Sequence, residues 1–189
     1  MKSRYKIFLN DDSLYFLTLN VIEKIPVFTN SSYMNIILEN FAFYQKNQHL
    51  KIFNYVIMDN HIHLIASHPE NLSKVIQNFK SYSAKKLIER LHKDKRSWIL
   101  KLMSENKPNY KQESTFQFWQ EGNHPKQIQG IKMLNQKIEY IHYNPVKRGL
   151  VAQGKNWVYS SESNFLGLKS AFQIDKIECH NVSKLGLGY

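Results

Sequence analysis

Lys51-Ile52-Phe53-Asn54-Tyr55-Val56-Ile57-Met58-Asp59-Asn60-His61-Ile62-His63-Leu64-Ile65-Ala66-Ser67 is the stretch that decides the architecture. Residues 51–58 and 61–67 are two apolar, β-branched and aromatic runs. Asp59-Asn60 between them is a turn dipeptide, so the pair reads as an antiparallel hairpin. Along an extended strand, successive side chains point to opposite faces. His61 and His63 therefore share one face, while Ile62, Leu64 and Ala66 take the other. Two imidazoles side by side on a rigid strand form half of a metal site. Taken alone, the pair reads equally well as two histidines satisfying local hydrogen bonds.

On the N-terminal side, residues 13–21 carry Leu14, Phe16, Leu17 and Leu19 and are expected to form a strand. Ser31-Ser32 offers a cap for a helix over 33–46, with Met34, Ile37, Leu38 and Phe41 as its apolar stripe. On the C-terminal side, Pro69-Glu70-Asn71 opens a helix over 72–92, with Ile76, Phe79, Leu87 and Leu91 inward and lysines elsewhere. The polar, basic stretch 93–114 reads as a long loop, and 116–120 as a short strand. A last helix is expected from 125 or 126 to 143, ended by Asn144-Pro145 because a residue before proline is pushed out of helical geometry. Beyond about 156 the pattern is weak. The order strand, helix, strand, strand, helix implies an α+β fold, with helices packed on an antiparallel sheet. Residues 1–165 read as one domain and 166–189 as a C-terminal extension.

The chain is 42% hydrophobic and 13% aromatic, which supports a folded core over 189 residues. No apolar run reaches membrane-spanning length, and the basic Met1–Lys6 start does not read as a signal peptide. The single cysteine excludes an intrachain disulfide and a multi-cysteine zinc site, and suits a reducing cytoplasm. The net charge is +11. Residues 74–111 hold eleven Lys/Arg and three Asp/Glu, a local net of +8 (11 − 3). Such a block suits a polyanion, most often nucleic acid, against the plainer reading of a solvated helix face.

Read by angle at about 100° per residue, Ile131, Leu134, Ile138 and Ile141 cluster on one side of the last helix. Tyr140 lies roughly 140° from the centre of that cluster, so it is not a core tyrosine. Asn144 shares its flank one turn on. His142 sits close to the apolar stripe and reads as structural. Tyr143 also points away from the stripe, so angle alone does not choose between the two tyrosines.

Met58-Asp59-Asn60-His61-Ile62-His63-Leu64, followed by Tyr140-Ile141-His142-Tyr143-Asn144-Pro145-Val146-Lys147-Arg148-Gly149-Leu150-Val151, resembles the single-tyrosine HUH transposases. Within these it resembles the REP-associated tyrosine transposase branch. Phe16-Leu17-Thr18, Phe79-Lys80-Ser81-Tyr82, Phe118-Trp119-Gln120 and Trp157-Val158-Tyr159-Ser160-Ser161 add to the match, which spans about residues 10–165 in family order.

The resemblance implies a ferredoxin- or RRM-like HUH fold. It implies His61 and His63 as metal ligands for Mg²⁺ or Mn²⁺, Asn144 as the third ligand and Tyr140 as nucleophile. The implied reaction is cleavage and rejoining of single-stranded DNA at hairpin-flanked sites through a 5′-phosphotyrosine. Asp59 stands where the family usually has Pro. Lys80, Lys85, Lys86, Arg90, Lys147 and Arg148 are expected to hold the DNA backbone. Tyr82, Trp98, Phe118 and Trp119 are candidate base-stacking platforms. The expected setting is the cytoplasm of a prokaryote, associated with the nucleoid, as a monomer or homodimer. A domesticated relative that binds hairpin DNA without turnover is the alternative, and an RNA-binding sheet a third reading.

Overall fold

The computed structural model describes residues 13–122 and 125–177. Met1–Lys6, His124, Cys179 and His180 lie outside the described residues, as does the end of the C-terminal extension. Strands β1 (Tyr15–Asn20), β2 (Lys51–Ile57), β3 (His61–Ser67) and β4 (Lys126–Gln127) form one antiparallel sheet in the order β2-β3-β1-β4. Helices α1 (Ser31–Asn47) and α2 (Leu72–Lys93) complete a βαββαβ unit of the ferredoxin-like kind. α3 (Ser97–Glu105), α4 (Gly130–Lys147) and the short α5 (Glu162–Phe165) follow.

Strand periodicity divides the molecule into layers. Leu17, Leu19, Ile62, Leu64 and Ala66 face α1 and α2, and pack with Phe41, Phe79 and Leu87. Leu14, Phe16, Val56 and Ile65 face the other way and pack against Leu134 and Ile141 of α4. The histidine strand is thus covered by the basic helix α2 on one face and by α4 on the other. His61 and His63 lie on the α4 side, in register with Asn20 and Thr18 of β1.

A bulge at Phe53 shifts the β2–β3 register between Ile52 and Asn54 and brings Asn54 opposite Ile65. The outer edge of β2 is not left open. Ser160 bridges Val56, the Ser161 N–H donates to Tyr55 O (3.0 Å), and the Ile52 N–H donates to the Asp175 carboxylate (2.8 Å). Phe172 is buried in the α1–α2 layer.

Several sequence expectations are corrected. The cap of α1 is Asn30 rather than a serine, its side chain accepting from the Ser32 N–H at 2.9 Å. The stretch 93–114 is not all loop: α3 forms because Ile99, Leu100 and Met103 fall on one face and bury. Residues 116–120 make a single bridge, Trp119 to Val21, rather than a full strand. The last helix starts at Gly130, because Lys126 and Gln127 are used by β4 against Phe16 and Tyr15.

That helix also runs past Asn144 to Lys147 with Pro145 inside it. The proline sits in the last turn, and the end is set instead by Gly149 at φ 73°. The Gly149 N–H donates to Val146 O (2.9 Å) and the Leu150 N–H to Pro145 O (2.9 Å), a Schellman closure.

Candidate active site

His63 is 4% exposed and held on three sides. Phe16 stacks on its ring at 5.3 Å between centroids, and Thr18 Oγ1 lies 2.9 Å from Nδ1 across the β1–β3 ladder. The Tyr140 hydroxyl lies 3.4 Å from Nε2. His61 stands beside it at 4.6 Å between ring centroids, with its Nδ1 2.6 Å from Asn60 Oδ1. Both Nδ1 atoms therefore have oxygen partners, and the Nε2 atoms are left as the outward donors. Burial pushes His63 down to about 3, helped by His61 and Lys137. Burial also lowers His61, against the opposing pull of Asp59. The two rings are neutral at neutral pH, the form that ligates a metal.

Tyr140 comes from α4 and is 42% exposed. Its ring meets His63 and Phe16 edge-on, at 5.1 and 5.9 Å. What aims it is the opposite side of the same helix. His142 Nε2 lies 3.2 Å from both Asn54 Nδ2 and Ser161 Oγ, and burial lowers its pKa to about 4. His142 is thus structural, as its place on the stripe implies, and the bulge at Phe53 supplies its partner. This network fixes the rotation of α4 and so puts Tyr140 on the histidine flank. Tyr143 is 60% exposed and lines, with Tyr140, Gln136, Glu139 and Glu162, a groove of about 600 Å³, but only Tyr140 of the two is in contact with His63 among the described residues. Geometry thus separates the two tyrosines where angle did not.

Asn144 shares the Tyr140 flank, its Nδ2 donating to Tyr140 O at 2.7 Å. Among the described residues there is no cluster of three or more His, Cys, Asp or Glu side chains that would hold a metal. The groups that could hold a cation here are the His61 and His63 imidazoles, with the Asn144 amide one turn beyond Tyr140 on α4. Such a set would suit a weakly held divalent cation that takes its remaining ligands from phosphate and water.

The expected DNA contacts fall in different places. Lys85, Lys86 and Lys147 are exposed. Lys80 Nζ donates to Gln120 O (2.9 Å), and burial pushes its pKa down to about 8. Arg90 is engaged by Asp94 at 2.9 Å, and Arg148 by Asp59 at 3.1 Å. Lys80, Lys85, Lys86 and Arg90 lie on α2, across the sheet from the histidines. Phe118 and Trp119 are core residues, with Trp119 Nε1 donating to Ser83 Oγ (3.1 Å), so they present no face for stacking. Tyr82 and Trp98 are about half exposed. Sequence reasoning passed over Lys137, whose Nζ lies 4.8 Å from the Phe16 centroid and 5.8 Å from that of Tyr140. Its one signal was its place three residues before Tyr140.

Residues 11–144, most of the chain, match the profile of the family described as "Transposase IS200 like". The chain belongs to the IS200-like transposase family. A Haemophilus influenzae protein named as a candidate REP-associated tyrosine transposase is 28% identical over 165 residues, covering 84% of this chain and 85% of its own. That agrees with the branch to which the motifs pointed. The structure of a REP-associated tyrosine transposase bound to a REP hairpin superposes with a TM-score of 0.63 at 18% identity. It covers 95% of this chain and 96% of its own, a likeness of fold. No described helix of this IS200-like transposase is long and apolar enough to cross a membrane.

Proposed function

We propose that this chain is a metal-dependent single-stranded DNA transesterase that cleaves and rejoins DNA beside hairpins, with Tyr140 as its nucleophile. The observation that carries the reading is the Tyr140 hydroxyl at 3.4 Å from His63 Nε2, with His61 alongside. In the cleavage step the Tyr140 oxygen forms a bond to phosphorus and the bond from phosphorus to the 3′ oxygen breaks. The products are a 5′-phosphotyrosine and a free 3′-OH. The proton lost by the phenol equals the one gained by the 3′ oxygen, so the step is neutral in protons. One phosphodiester replaces another, so rejoining needs no nucleotide cofactor.

A free phenol has a pKa near 10 and is a weak nucleophile at neutral pH. Its attack needs help at the phosphate. His61, His63 and the Asn144 amide oxygen are the groups that would hold a divalent cation. With Mg²⁺ or Mn²⁺ bound, these residues would place a cation able to polarise the scissile phosphate and offset charge in the transition state. Neutral, oriented imidazoles and a partly exposed tyrosine on a buttressed helix are what the protein itself provides.

The DNA hairpin is the proposed partner, by likeness to the relatives named above. Of the expected set, Lys147 is exposed on the helix that carries Tyr140 and is the cation placed to meet a backbone beside the site, whereas Lys85 and Lys86 are exposed on the far side of the sheet. The test uses labelled single-stranded oligonucleotides carrying the hairpins that flank the gene, with Mg²⁺ or Mn²⁺ and with EDTA. A protein–DNA adduct on a denaturing gel that needs the metal supports the reading. Hairpin binding with no adduct under any of these metals overturns it in favour of a pure DNA binder.

A further inference from the structure

Lys137 has no part in the motifs that define the site, yet its ammonium lies against the rings of Phe16 and Tyr140. It lies one turn before Tyr140 on α4, and its ammonium sits over the Phe16 ring at 4.8 Å and 5.8 Å from the centre of the Tyr140 ring. Phe16 in turn stacks on His63. No carboxylate among the described residues forms an ion pair with it, whereas Lys86, Arg90, Lys101, Lys111 and Arg148 each have one. A half-buried lysine resting on the face of Phe16, the ring that stacks on His63, and 5.8 Å from the centre of the Tyr140 ring is a cation held at the site.

The geometry points to Lys137 as a further catalytic residue that contacts a non-bridging oxygen of the scissile phosphate during attack by Tyr140. This rests on the reading of Tyr140 as nucleophile. As the bond from Tyr140 to phosphorus forms and the bond to the 3′ oxygen breaks, the non-bridging oxygens gain negative charge. A fixed ammonium at that point stabilises the charge without reorganisation, and more strongly in a partly desolvated site than in water. The cation–π contact with Phe16 keeps the flexible four-carbon stem aimed before DNA arrives. The same role in the reverse step would fit rejoining, because the transition state is shared.

The experiment measures single-turnover cleavage of the hairpin oligonucleotide by wild type, Lys137→Met, Lys137→Arg and Tyr140→Phe, with hairpin affinity measured for each. Lys137→Met is expected to bind the hairpin within about threefold of wild type and to cleave on the order of 100-fold more slowly, the effect of losing one preorganised donor. Lys137→Arg, which keeps the charge, is expected to recover most of the rate. Cleavage by Lys137→Met within about threefold of wild type, while Tyr140→Phe is dead, overturns the role of Lys137 and leaves the nucleophile standing. Equal loss in Lys137→Met and Lys137→Arg, with hairpin affinity falling in step, makes Lys137 a support for Phe16 and also overturns it. Undiminished cleavage by Tyr140→Phe removes the nucleophile on which both readings depend.

Discussion

Acidification from pH 7 to pH 5 is expected to destabilise this protein through two particular histidines. His63 and His142 are held neutral by burial, with pKa values pushed down to about 3 and about 4 from the ordinary 6.5. Below about pH 6.5 the unfolded chain takes up a proton at both positions, while the folded chain does not until far lower pH. More protons on the unfolded state means that stability falls as pH falls through this window and is recovered as pH rises. At about 1.4 kcal/mol per pH unit for each group, the fall between pH 7 and pH 5 is about 2 kcal/mol for each histidine, nearly all of it below pH 6.5.

Urea unfolding at pH 7, 6 and 5 of wild type, His63→Asn and His142→Asn isolates these contributions, because the carboxylates common to all three cancel. Each variant is expected to lose about 2 kcal/mol less than wild type across the range, whatever its stability at pH 7. Parallel losses in all three proteins would refute the argument that these rings are buried and neutral.

Gly154→Ala should destabilise by about 1–3 kcal/mol in the same assay, because the added methyl would meet the Glu162 carboxylate and lie 2.7 Å from His142 O on α4. Its cleavage rate should fall as well, since α4 carries Tyr140. Phe79→Ala should cost about 3–5 kcal/mol, because the ring is fully buried and stacked on Phe41 at 5.4 Å between α1, α2 and the sheet. Arg148→Ala should change stability by less than about 1 kcal/mol, because the pair with Asp59 joins a side chain that is 58% exposed to one that is 24% exposed. A larger loss in a double-mutant cycle with Asp59→Asn would show that the pair locks the β2–β3 turn to the end of α4.

Strands and helices with one clear period were legible from the chain. Residues 61–67 alternate cleanly, so both the strand and the shared face of His61 and His63 follow from spacing alone. Tyr140 was placed off the apolar stripe by angle, and it does stand on the sheet-side flank at His63. The misses have local causes. α3 offers only Ile99, Leu100 and Met103 within a basic stretch, too short a stripe to outweigh its charges. β4 has no apolar pattern of its own, and Lys126–Gln127 become a strand only because β1 presents an open edge.

Pro145 stands inside the last turn of α4 without ending it, and Gly149 sets the stop. Thr18 opposite His63 depends on register between strands far apart in sequence. The inward turn of Lys80 toward Gln120 is equally a tertiary fact, whereas the pairing of Arg90 with Asp94 is a local i,i+4 contact. Lys137 was invisible for a different reason: on a chain with 26 Lys and Arg, only its environment singles it out.

The most direct test of the account identifies the atom joined to DNA. The denatured adduct, digested with nuclease and trypsin, should yield the peptide 138–147, which contains both Tyr140 and Tyr143. Fragmentation mass spectrometry of that peptide is predicted to place a 5′-phosphonucleotide on Tyr140, and Tyr140→Phe to yield no such peptide. The modification on Tyr143, or on a peptide outside α4, would contradict the central claim.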